Sequence, residues 1–72
     1  MKGVDLRGLA KAWDGGLVYV AEGVVKLAAV THPTAAGPWL AVDLTSDEGP
    51  HIIGADYATA DEAQHAVEDW FR

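Results

Sequence analysis

The chain contains no cysteine. That excludes a disulfide framework and any thiolate metal site, and it fits a reducing, intracellular setting. Basic residues are also scarce: five Lys and Arg stand against eleven Asp and Glu, for a net charge of −6. No apolar run approaches the about 20 residues that a membrane span requires. The opening MKGVDLRGL has one early lysine but no continuous apolar stretch, so it does not read as a secretory signal. A cytoplasmic location, in a bacterium or an infected host cell, is the expectation. Catalytic motifs are missing as well. Asp14-Gly15-Gly16 lacks the lysine and hydroxyl of a phosphate-binding loop, and Ser46 falls in a turn with no plausible base nearby.

What is present suits a core. Half of the 72 residues are apolar, enough for one domain near the lower size limit of an unstapled fold. Residues 1–16 form an N-terminal segment, 17–58 carry strand-like stretches and 59–72 a helix. The stretches LVYVA, VVKLAAVTH, PWLAVDLT and HIIGADYA are separated by Glu22-Gly23, by Pro33 to Gly37 and by Ser46 to Pro50. β-Branched and aromatic residues with this punctuation predict a four-stranded antiparallel meander. A two-residue turn at Glu22-Gly23 sets Val18 opposite Leu27. A loop from Pro33 to Pro38 sets Ala29 opposite Val42, and a loop from Asp47 to Pro50 sets Leu44 opposite Ile53. One face then holds Val18, Val20, Val25, Leu27, Ala29, Leu40, Val42, Leu44, Ile53, Ala55 and Tyr57, and it is expected to be the core.

Thr59 followed by Glu62 has capping-box spacing, with Asp61 and Glu62 at the positive end of the helix dipole. Ala63, Ala66, Val67, Trp70 and Phe71 form one apolar stripe, which predicts a C-terminal helix packed on that aliphatic face. The fold class is therefore α+β. VDLRGLAKAW (4–13) reads either as a short helix with Leu6, Leu9, Ala10 and Trp13 on one side, covering the second sheet face, or as a fraying segment; Gly8 weakens the helix.

That second face would present Leu17, Tyr19, Ala28, Val30, Trp39, Ala41, Ile52 and Gly54, with Asp43 and Asp56 beside them. An apolar patch with aromatic anchors and a charged margin suits a protein interface. Charge is uneven along the chain. Lys2, Arg7, Lys11 and Lys26 against Asp5, Asp14 and Glu22 give +1 over residues 1–36. Only Arg72 faces Asp43, Asp47, Glu48, Asp56, Asp61, Glu62, Glu68 and Asp69 over 37–72, giving −7. Such a surface keeps a small domain soluble, repels nucleic acid and anionic lipid, and attracts a basic protein. Candidate partner-binding residues are thus Tyr19, Trp39, Asp43, Asp56, Asp61, Glu62, Glu68 and Asp69.

Asp43 and Asp56 could in principle share acid–base work, but nothing in the sequence supplies a deep pocket and Lys26 lies close. His32 and His51 fall at opposite ends of the sheet, and His65 sits among helix carboxylates, so no metal or other cofactor is expected.

The meander followed by YATADEAQHAVEDW resembles the AP2-like, arm-binding domains of tyrosine recombinases, a phage and mobile-element family. Tyr57, Thr59, Glu62, Ala63 and Trp70 carry the likeness, over about residues 17–72. It implies strands followed by a capped helix. Those domains set basic side chains into DNA, whereas this sheet offers Lys26 beside two aspartates, so DNA binding does not transfer. Size, acidity and the lack of catalytic motifs are also similar to phage-encoded inhibitors such as anti-CRISPR proteins. The expected function is a non-enzymatic interaction module, a phage- or prophage-type inhibitor or adaptor for a basic protein. The alternative is a homodimer joined through the second face or the 51–58 edge strand.

Overall fold

The computed structural model describes residues 3, 5, 6, 8–13, 15–32 and 37–72. Five strands, β1 (Ala10–Trp13), β2 (Gly16–Ala21), β3 (Val25–Thr31), β4 (Trp39–Asp43) and β5 (His51–Tyr57), precede one helix, α1 (Ala60–Phe71). The strands pair antiparallel in sequence order in one sheet. The α+β meander with a C-terminal helix is therefore present, with one strand more than expected. The extra strand is β1. The short helix expected over 4–13 is replaced at its C-terminal half by a ribbon in which Lys11 faces Val18 and Trp13 faces Gly16. Gly8, at φ 84°, interrupts any helical path through this segment. Of the loop expected from Pro33 to Pro38, residues 33–36 lie outside the described residues, as does Asp14.

The β3–β4 register agrees with expectation: Ala29 pairs with Val42 and Thr31 with Leu40. The flanking registers differ. Glu22 and Gly23 both adopt positive φ and the Val24 amide donates to the Ala21 carbonyl at 3.2 Å, but Ala21 pairs with Val25, which leaves Val24 in the turn as well. A bulge then leaves Leu27 between the Tyr19–Ala28 and Val20–Lys26 pairs. Val18 consequently faces Ala29 instead of Leu27. Two further register shifts in β4–β5 set Val42 opposite Ile52.

Helix α1 starts as its sequence dictates. The Glu62 amide donates to the Thr59 hydroxyl at 3.2 Å, and the Glu62 carboxylate accepts from the Ala58 amide at 3.0 Å. Its apolar stripe, Ala63, Val67 and Phe71, is fully buried.

The stripe does not lie on the face expected. It packs with Tyr19, Ala28, Val30 and Ala41, and with Leu17 and Trp39 at the margin. Leu6 and Leu9 from the N-terminal segment join the same cluster. The aliphatic face holding Val18, Ala29, Val42 and Leu44 is left uncovered by the described residues, a reversal of the expected faces. The reason is steric. Ala28 and Ala41 form a shallow floor where a helix backbone can come close, and beside them Gly54, paired with Ala41, leaves room for the Tyr57 ring to fold over it. Large side chains ring that floor. The bulge at Leu27 and the β5 shifts turn Leu27, Ile53 and Tyr57 toward the helix too, so these three reach the core as expected, but from the other side. No helix among the described residues is long and apolar enough to cross a membrane.

Candidate docking surface

The residues singled out for partner binding separate into three groups. Tyr19 and Asp43, 2% and 6% exposed, lie beneath α1, so neither is available to a partner. Trp39 is half-buried against the core, its ring 4.2 Å from that of His32. Asp56, Asp61, Glu62 and Asp69 are exposed and Glu68 is half-buried. Of the helix acids, Glu62 is engaged in the cap and Asp69 pairs with Arg72 at 3.1 Å.

Asp43 instead fastens sheet to helix. One carboxylate oxygen accepts from the Thr45 amide at 2.7 Å and the Thr45 hydroxyl at 2.6 Å; the other accepts from the Trp70 indole N–H at 2.9 Å. Burial pushes this carboxyl up, but the hydrogen bonds from Thr45 and Trp70 outweigh burial and hold it below its ordinary value. His51, paired with Asp43 across the strands, stacks on the Trp70 ring at 5.3 Å. Burial, with the Glu68 carboxylate adding to it, pushes the Tyr19 phenol up to about 12. Both groups are parts of the core, and the pair Asp43 and Asp56 does not converge on a common cavity: one is sealed, the other exposed.

The uncovered sheet face is the site the sequence did not single out. Strand pairing places Lys11, Val18, Ala29, Val42 and Ile52 side by side across all five strands. Beside that row, Trp13 faces Gly16, which in turn faces Thr31. A side chain at Gly16 would run into the Val30 carbonyl, so this position requires glycine. Trp13, Val18, Lys26, Ala29, Thr31, Val42, Leu44 and Pro50 together line an open cleft of about 440 Å³. Ala29 and Val42 form its floor, whereas Trp13 and Ile52 are 57% and 52% exposed. The spacing of Leu6, Leu9, Ala10 and Trp13 suits the apolar side of a short helix or a fraying segment, and neither places Trp13 on a sheet face. The signal that could have found it is the pair Trp13 and Gly16 around a Gly15 turn, which suits a tight hairpin.

Chemically, this face offers apolar surface, an indole, the Thr31 hydroxyl, which donates to the Gly15 carbonyl at 3.1 Å, and the ammonium groups of Lys11 and Lys26. Among the described residues no group of three or more His, Asp or Glu side chains is disposed to hold a metal ion. Comparison with protein-family models, with curated proteins and with solved structures finds no match for this chain.

Proposed function

We propose that this protein is a non-enzymatic interaction module that docks a partner protein on the open face of its sheet. The observation that carries this reading is that the face is continuous and apolar while no element of the described chain covers it. An aliphatic sheet face of this kind, with an exposed tryptophan at its margin, has the composition of an interface core. The helix acids give a weaker case for a docking surface of their own, because Glu62 and Asp69 already have intramolecular partners. The β5 edge is also a poor template for strand addition, since two register shifts and the positive φ of Asp56 break its regularity.

The test is comparative retention from native cell lysate by the wild-type protein, by Trp13→Ala combined with Ile52→Ser, and by a variant with Asp61, Glu68 and Asp69 all changed to Asn or Gln. The reading expects a protein retained by the wild type and the helix variant and lost from the sheet-face variant. Retention that tracks the helix acids, or that ignores both surfaces, contradicts it.

A further inference from the structure

Resting on that reading, we infer that the occupant of the open face is an amphipathic helix of a partner protein whose apolar stripe is flanked by acidic side chains. Shape narrows the choice first. Ala29 and Val42 are 8% and 9% exposed although no element of the described chain crosses them. Trp13, Lys26, Leu44 and Pro50 rise around them, so the face is a cleft and not a plane. A hollow takes a ridge. A second copy turned face to face would set one hollow over another and leave the two floors apart, which forfeits the contacts that make packing favourable. A helix, with apolar side chains at three- and four-residue spacing, supplies the ridge.

Charge then selects the kind of helix. Among the described residues that line the cleft Lys26 is the charged one and none is acidic, and Lys11, paired with Val18, adds a second ammonium group beside it. From strand spacing and rise the two lysines stand roughly 12 Å apart, about one helix diameter. A helix seated over the Ala29 and Val42 floor has Lys26 at one end and Lys11 along its β1 side, so an acidic flank is attracted there and a basic flank repelled. Glu22, Asp47 and Glu48 lie in the turns beyond the strand ends at the Lys26 end of the cleft. That acidic lip suits the positive N-terminus of the bound helix and sets its direction.

The experiment measures fluorescence anisotropy of three labelled synthetic peptides at low salt with the full chain. One peptide carries an apolar stripe flanked by Glu, one the same stripe flanked by Lys, and one a scrambled sequence of the first. The Glu-flanked peptide should bind about tenfold more tightly than either other peptide, the size expected of two exposed ion pairs, and added salt should narrow the gap. Lys11→Glu with Lys26→Glu, both at exposed positions, should invert the charge preference, and Trp13→Ala should weaken all binding. Equal affinity for the three peptides, or none for any, overturns the acidic-helix occupant. If lysate retention still depends on the sheet face in that case, only the occupant fails; if it does not, the docking surface fails with it. A concentration-dependent dimer in sedimentation that Val42→Asp abolishes, with the fold retained by circular dichroism, overturns the inference in favour of a second copy.

Discussion

Replacing Asp43 by alanine removes the acceptor for three donors: the Thr45 amide and hydroxyl in the loop after β4, and the Trp70 indole on α1. Hydrogen bonds to a charged group contribute about 1.5–3 kcal/mol each, but Thr45 is half-buried and can turn its groups to water. The net loss should therefore be about 2–4 kcal/mol, a large share of a small domain's margin. In thermal unfolding followed by circular dichroism, that corresponds to a fall in Tm of about 10–25 °C. Asp43→Asn keeps an oxygen for Thr45 and meets the indole with an amide donor, so it should fall between wild type and Asp43→Ala. A double-mutant cycle with Trp70→Phe should give a coupling of about 0.5–3 kcal/mol. Acid adds an independent check. The folded carboxyl lies below its ordinary value, so its stabilisation is full above the unfolded pKa of about 3.9 and is lost as pH falls through the folded value. Wild type should lose more stability than Asp43→Asn across that window. An Asp43→Ala protein as stable as wild type, or zero coupling to Trp70, refutes the sheet-to-helix tether.

Burial pushes the Tyr19 phenol up to about 12, so its contribution is complete below the unfolded value of about 10 and disappears as pH rises toward 12; Tyr19→Phe should flatten alkaline unfolding measured by circular dichroism. Ala41→Leu forces extra volume beneath α1 and should cost about 1–3 kcal/mol or more in urea unfolding. Ile52→Ser on the open face should change stability far less, by about 0.5 kcal/mol or under. Gly16→Ala drives a methyl into the Val30 carbonyl and should loosen the β2–β3 pairing, read as faster amide exchange at Val18 and Val30.

Local signals in the sequence were strong where chemistry is local. Thr59 and Glu62 define the start of α1, the alternation from Ala29 to Thr31 and Leu40 to Val42 defines the β3–β4 register, and the Ala63, Val67 and Phe71 stripe defines what the helix buries. The choice of sheet face was not legible, because it depends on space and not on hydrophobicity. The aliphatic face looks more core-like in composition, yet the shallow Ala28 and Ala41 floor is where a helix bearing Trp70 and Phe71 fits. Register departs from the hydrophobic pattern wherever an extra residue enters, at Val24, at Leu27 and in β5, since a bulge leaves no mark in such a pattern. The burial of Tyr19 and Asp43 follows from the choice of face and not from register: both lie on the face expected for them, and α1 covers it. Trp13 was hidden for a different reason, that Leu6, Leu9, Ala10 and Trp13 fit helical spacing as well as they fit a turn and a short strand.

The placement of α1 decides which surface remains for a partner, and methyl and aromatic NOEs from Val67 and Phe71 measure it directly. Cross-peaks to Ala28, Val30, Ala41 and Tyr19 are the predicted result. Cross-peaks from Val67 to Val18, Val42 or Leu44 would put the helix over the cleft and contradict the account.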